Sequence, residues 1–536
     1  MTKSIPLIDL LLVLFLTIIL VNYDHQAQLA PEAFLMVIQL GLLWGFCRIL
    51  YFLFPTIPKY IVAAILLMGF VQAVWGLGQW LGYFPSRHAL FSITGSFFNP
   101  GPFGGFIALV LPLVLHCWLR YRKNKVVAVL LAIVGVACLA IFPATFSRTA
   151  WIAAVAGCGL VLVFDTALVD KLKNAYRRYR KTVLMCTLVF CVLCAGAAYG
   201  VFHLKTDSAN GRLFMWKITA LAIQDAPVTG VGLGGFPAAY ADAQMAYFGS
   251  GRATETERMV AGSPAFAFNE YLRMFLEQGV VGGLLFLLLT FLIIHKGIKN
   301  RQTGAVGSFV ALSVFAFASY PYSLWEFLIV WVLLGTMCVA TGEKTLIDRR
   351  KTYLLAVPCL AILLVASFFV GTRQLPYRQA VKEWQTHQRL FFHRDYQSAV
   401  MEYARLYLRL SHSQRFIFEY ATALNEIARY NESNRAASRG IQISSDPVFR
   451  NIKGRNYHAM GEFDKAERQL KKAIDLLPDR ITPHYLLTRL YADPNNFQPE
   501  KMRRNAAVVL EKEPRVFSIA VAEMRESVRE ILRKWD

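Results

Sequence analysis

The stretch RYRKNKVVAVLLAIVGVACLAIFPATFSRTAW, residues 120–151, decides the fold class. Arg120, Arg122, Lys123 and Lys125 precede an unbroken apolar run. The run stops at Pro143, and a single cation, Arg148, stands where the next run begins. A helix crossing a bilayer core needs about 20 apolar residues, and short loops rich in Lys and Arg stay on the cytoplasmic side. The stretch therefore predicts a span, its direction, and an arginine at its outer end.

Working outward, the same grammar recurs. Apolar length predicts about eleven spans, near 6–22, 32–54, 60–83, 103–119, 126–145, 150–168, 182–202, 279–294, 304–320, 323–341 and 353–371. Alternate loops are basic: Lys3, then Arg48 with Lys59, then 120–125, 171–181, 296–301 and 344–351. The intervening short loops carry only Arg87 and Arg148. The alternation predicts a cytoplasmic N-terminus. Loops 84–102, 143–149 and 203–278, and everything after about residue 372, face outward. The first run follows Lys3 without a small-x-small cleavage site and reads as a retained span. The expected fold is all-α: a polytopic transmembrane helix bundle over 1–372, then a soluble helical domain over 376–536.

The chain has 536 residues, is 56% hydrophobic and carries a net charge of +22. A basic balance can mark a nucleic-acid partner. Here the cations cluster between apolar runs, which points to membrane lipids and not to nucleic acid. All nine cysteines lie in apolar runs or at their ends. Cys191 and Cys194 make a C-x-x-C without His or a second pair, so packing is expected and no metal site.

The polar tail contains GEFDKAERQLKKAIDLLP (461–478), whose Gly, Ala and Pro spacing is similar to a tetratricopeptide repeat. The segments at 394–410 and 430–443 resemble weaker copies, with Ala399 and Ala436 in the place of Ala466. Such a stack predicts a protein partner.

Four outward segments could carry chemistry. GSFFNPGPFGGF (95–106) breaks before a span and presents Asn99. FSRTAW (146–151) places Arg148 where an unpaired, unsolvated cation is costly. GRLFMWKITALAIQDAP (211–227) sets Arg212 and Trp216 one helical turn apart with Lys217 on the flank, a grouping suited to a sugar phosphate or to a membrane interface. TGVGLGGF (229–236) fits G-x-G-x-x-G, but no strand precedes it, so a tight turn is expected and not a dinucleotide site. SPAFAFNEYLRMFLEQG (263–279) predicts a helix with a polar stripe of Asn269, Arg273 and Glu277 beside an apolar stripe begun by Phe268, forming the outer lip of a cavity.

In this order and on one side, the motifs GSFFNP, FSRTAW, R…W…P…G-x-G-x-G-G-F, N-E-Y-L…E-x-G-x-x-G and SYPYS, over about residues 90–335, resemble the O-antigen ligase and polymerase superfamily of bacterial membrane glycosyltransferases. The resemblance implies en bloc transfer of a glycan from undecaprenyl pyrophosphate to an acceptor hydroxyl, on a lipid A core sugar or a protein Ser/Thr. It implies the periplasmic face of the inner membrane, with no cofactor and no obligatory metal. Arg148 and Arg212 are then expected to hold the pyrophosphate. Arg273 is a third candidate, and Asn99, Trp216, Lys217 and Asn269 are expected to bind substrate. The family places a histidine where Phe268 stands, so the base is sought in Glu270 or His88, or none is needed because the pyrophosphate leaves readily. The alternatives are a polymerase of the same family, a catalytically inactive scaffold, and a transporter, which should show broken helices in two repeated halves; no internal repeat is visible among the spans.

Overall fold

A computed structural model of the chain describes residues 7–23, 31–88, 90–166, 168–182, 206–340, 349–513 and 518–535, with single positions between 183 and 205. Among the described residues the secondary structure is helical, without a strand. Helices α1 (Leu7–Val21), α2 (Pro31–Leu53), α3 (Ile57–Trp80), α4 (Pro100–Tyr121), α5 (Lys125–Ile141), α6 (Arg148–Asp165) and α7 (Leu168–Arg178) come first. A loop layer follows: α8 (Thr206–Asp225), α9 (Phe236–Gly249) and α10 (Glu255–Val260). Then come α11 (Glu270–Lys299), α12 (Thr303–Ala316), α13 (Trp325–Val339) and α14 (Arg349–Thr372).

Among the described residues seven helices are long and apolar enough to cross a membrane, and α1, α12 and α13 are shorter apolar helices. The chain is a multi-pass membrane protein. The span expected at 182–202, with Cys186, Cys191 and Cys194, lies outside the described residues.

Without water, helices associate through close packing and satisfied polar groups. Gly157 of α6 meets Gly307 of α12 so closely that a Cβ on Gly157 would sit 2.5 Å from the Gly307 carbonyl. Asp9 of α1 accepts from Trp44 (2.8 Å) and pairs with Arg48 (3.1 Å), pinning α1 to α2.

The expected span at 279–294 is the inner part of one longer helix. Gly279 (φ 65°, ψ −173°) interrupts α11 without ending it. The expected Gly-rich turn fills the break: Val231 N donates to Leu276 O (2.9 Å), Gly232 N to Glu277 O (3.0 Å) and Val280 N to Pro227 O (2.8 Å). The backbone groups freed by the kink are thereby satisfied, as burial demands. A Cβ at Gly279 would lie 1.9 Å from Val228 O. Glycine is required by both shape and φ.

Beyond α14, nine further helices, α15 (Leu375–Phe392), α16 (Tyr396–Leu410), α17 (Gln414–Glu426), α18 (Tyr430–Ile443), α19 (Val448–Ala459), α20 (Phe463–Leu476), α21 (Thr482–Tyr491), α22 (Pro499–Glu511) and α23 (Ile519–Trp535), pack in sequence order. Ala399, Ala436 and Ala466 are buried at helix contacts. Arg394, Ala428 and Gly461, 34 and 33 residues apart, all adopt left-handed φ just before a helix. This layer sits on the loop layer: Gln244 Nε2 donates to Leu476 O (2.7 Å), Ser445 Oγ donates to Pro264 O (2.9 Å), and Leu476 and Leu477 complete the core around Phe236 and Tyr240.

Candidate functional site

The site begins where α5 ends. Pro143 opens a single 3₁₀ turn, and Phe146 takes a left-handed conformation (φ 47°) that reverses the chain. Trp151 Nε1 and Thr145 Oγ1 both donate to Phe142 O (3.2 and 2.7 Å) and fix the turn. Arg148 is thereby set, half-buried, on the first turn of α6.

Helix α8 brings Arg212 to the same place. Arg212 Nη1 donates to Thr149 Oγ1 (3.2 Å), and its guanidinium carbon stands 5.5 Å from the centre of the Phe268 ring. Burial, then the like charge of Arg148, pulls the Arg212 pKa below the usual guanidinium value, and Tyr320 acts in the opposite sense. It stays charged at neutral pH. Two guanidiniums are thus held close enough to disfavour one another. Such an arrangement is relieved when an anion lies between them.

One turn on, Trp216 Nε1 donates to Phe268 O (3.3 Å), and its ring meets Phe317 edge-on at 5.4 Å. Phe268 is not part of an apolar stripe on a helix, as the sequence suggested. It precedes α11, with φ 49°. A left-handed residue with a Cβ costs about 1–2 kcal/mol. The bond from Trp216 to its carbonyl, the Arg212 contact and an edge-on contact with Tyr320 (5.0 Å) hold it there. Phe266 stacks on the same Tyr320 at 4.5 Å.

The stripe of Asn269, Arg273 and Glu277 is a buried seam and not an outer lip. Asn269, Glu270 and Glu277 are 3%, 1% and 4% exposed. Asn269 Oδ1 caps α11, accepting from Tyr271 N and Leu272 N (3.1 and 3.0 Å). Glu270 accepts from Tyr322 N (2.9 Å) and lies 3.0 Å from Arg273 Nε, while Arg273 also reaches Ser323 Oγ. Glu277 accepts from the backbone of Gly234 and Phe236, at the start of α9. Chain breaks at 234–236, 268–269 and 320–322 leave backbone donors unpaired, and these side chains supply the acceptors. Glu270 and Arg273 are thus joined as an ion pair and tied to the framework, although Glu270 Oε2 and Arg273 Nε make no hydrogen bond.

Asn99 caps α4 through Gly101 N (2.8 Å). Lys217 turns away from Arg212 to bind Tyr247 OH (2.7 Å) and Glu257 (2.6 Å), tying α8 to α9 and α10. His88 Nδ1 accepts from Leu90 N (3.0 Å) within its own loop. Of the residues singled out in the sequence, the structure brings together Arg148, Arg212 and Trp216. It adds Thr149 and Tyr320, to which the sequence assigned no role, and Phe268, which the sequence read only as the start of an apolar stripe and the place of the family's histidine. Tyr320 was visible only as part of SYPYS.

Beside Arg212 and Phe268 lies a cavity of about 340 Å³, lined also by Ser208, Tyr240, Ser263 and Pro264. Ser445 of the C-terminal layer holds the Pro264 carbonyl at its wall. A cavity lined by Arg212 with the rings of Phe214, Tyr240 and Phe268 can bind an anionic, partly apolar ligand such as a glycosyl phosphate. Among the described residues no group of three or more His, Cys, Asp or Glu is placed to hold a metal ion.

Residues 134–287 match a family model described as O-antigen ligase. The match includes Arg148, Arg212, Trp216 and Phe268 and ends inside α11. No curated protein matches the chain.

Proposed function

From its place in the O-antigen ligase superfamily, we propose that this glycosyltransferase-like membrane enzyme moves a glycan en bloc from undecaprenyl pyrophosphate to an acceptor hydroxyl. The acceptor is a lipid A core sugar or a protein Ser/Thr at the periplasmic face of the inner membrane. The observation that carries the reading is Arg212, bonded to Thr149 next to Arg148 on the first turn of α6 and lining the cavity at Phe268.

The acceptor oxygen forms a bond to the anomeric carbon. The bond from that carbon to the pyrophosphate oxygen breaks, and its electron pair leaves with the lipid pyrophosphate. Arg148 and Arg212 stabilise the negative charge developing there, with guanidinium forks matched to phosphate oxygens. Phe268 offers no proton acceptor at the position where the family places histidine, and Glu270 is enclosed in the seam. The departing pyrophosphate, itself an anion, takes the hydroxyl proton. No metal is required for this step. Trp216 holds Phe268, and Phe268 walls the Arg212 guanidinium.

The 33–34-residue recurrence of left-handed positions and the buried alanines support a tetratricopeptide-like domain after residue 376. It lies against the cavity wall, where a protein acceptor or partner would be presented. Deletion in the native host, followed by analysis of surface lipopolysaccharide and of glycoproteins, tests the reading. The class that loses its glycan identifies the acceptor, and loss from neither refutes the proposal.

A further inference from the structure

We propose that the chain holds an anionic phospholipid in a slot at the end of the bundle opposite the arginine pair. The slot is a cavity of about 1050 Å³ and lies among α3, α4, α5 and α12. Its walls are apolar, with Leu66, Phe70, Leu113, Leu130 and Val134 among them. Its mouth carries Lys59 from the first turn of α3, Arg120 from the last turn of α4 and Arg301 from the turn between α11 and α12, with Tyr121 and Gln302 beside them. None of its described lining residues is acidic. The nearby carboxylate, Asp165, is turned onto His116 (2.5 Å) and Thr303 Oγ1 (2.6 Å).

The two ends are fixed by α4. Gly104, at its start, packs against Thr145 and Ser147 beside Arg148. Arg120 stands at its other end, 16 residues on, which at 1.5 Å per residue is about 24 Å away. The slot is therefore separate from the cavity proposed for glycan transfer. Its charge order, cations above and hydrocarbon walls below, matches one lipid class. An acyl chain fits the walls, and a headgroup phosphate meets three fixed cations. A zwitterionic headgroup would bring its own ammonium to a mouth whose described lining residues include no carboxylate to receive it. Basic pockets between membrane helices recognise anionic headgroups in this way.

Arg301 is placed by the backbone and not by chance extension. It adopts φ 55° in the turn between α11 and α12, and Asn300 Nδ2 donates to Cys338 O (2.9 Å) and Ala340 O (3.2 Å) to hold that turn. Such a turn presents the side chain in one direction, toward the mouth. The slot would tie α3, α5 and the α11–α12 turn together through one lipid.

The full chain, reconstituted in nanodiscs of phosphatidylglycerol or of phosphatidylcholine, is released and weighed by native mass spectrometry. The wild type is expected to retain phosphatidylglycerol in preference. The variant Lys59→Gln/Arg120→Gln/Arg301→Gln should lose the preference, roughly fivefold for each cation removed. Ala63→Trp lines the same slot and leaves every charge in place; it should lower retention of both lipids. Equal retention of the two lipids by the wild type overturns the proposal. So does an unchanged preference in the triple variant. A photo-crosslinker at Leu130 that labels residues 183–205 of the chain itself, and not lipid, also overturns it.

Discussion

Replacing Arg212 by alanine removes one of two cations assigned to the leaving group and leaves the other in place. A preorganised group that stabilises developing charge is worth about 10²–10³ in rate, or roughly 3–4 kcal/mol. The effect on folding is expected to be much smaller. The variant loses a charged hydrogen bond to Thr149 and a contact with the Phe268 ring. It also loses the cost of a partly buried charge and its repulsion from Arg148. These changes oppose each other, and the net shift in stability should stay within about 1 kcal/mol. Arg212→Lys keeps the charge but not the planar fork, so an intermediate loss of about tenfold is expected. The assay is the initial rate of glycan transfer in vesicles holding a lipid pyrophosphate donor and a hydroxyl acceptor, with Tm measured on the same preparations. Arg148→Ala should behave similarly, and the double variant should fall short of the product of the two, because both groups serve one ligand. If Arg212→Ala transfers within about threefold of wild type, or loses activity only in step with its Tm, the arginine mechanism is wrong.

Other perturbations separate framework from chemistry. Glu270→Ala leaves Arg273 partly buried with its closest ion-pair partner gone, and should destabilise the bundle by about 3–5 kcal/mol; transfer lost at unchanged Tm would instead make Glu270 catalytic. Gly279→Ala forces a Cβ onto Val228 O at a left-handed φ and should cost more than about 2 kcal/mol, read as loss of folded protein in detergent; normal yield and Tm would show that the kink is not held by the Gly-rich turn. Glu257 is shifted by partial burial, which raises its pKa, and by hydrogen bonds from Lys217, Thr254 N and Tyr247, which prevail and bring it down to about 2. A folded pKa below the ordinary 4.5 contributes stability that is fully present above about pH 4.5 and is lost as pH falls toward 2. Glu257→Gln should therefore flatten the acid limb of the Tm–pH profile in that window, by an amount limited by the exposure of Lys217; an unchanged limb would remove the clamp from the account.

Much of the architecture was legible because the bilayer imposes a length and a charge rule on the chain. Ten of the expected spans recur as apolar helices, with ends displaced by a few residues, except at α11, which begins nine residues early. The polar entry at Glu270 continues through Gly279 because a second chain break, at 228–236, supplies the backbone partners that a kink leaves open. Local sequence carries no record of a partner some 45 residues away. Arg394 and Ala428 adopt the left-handed turn that the glycine at 461 announces, but a residue with a Cβ gives no such signal.

The sequence by itself determined the membrane class, the helical periods and the family resemblance, since hydropathy and charge act on each segment separately. It also placed Arg148 and Arg212 among the candidates. Tertiary structure decided which polar residues face a cavity and which are consumed. Asn269, Arg273 and Glu277 read as the outer lip of a cavity because helical periodicity sorts faces without saying what lies against them. In the fold that face meets broken backbone and not water, and its polar atoms are taken by capping and ion pairing. Arg148, Arg212 and Trp216 converge because the turn at Phe146 and the left-handed Phe268 bring separate helix ends together, a packing outcome fixed only when the whole bundle closes.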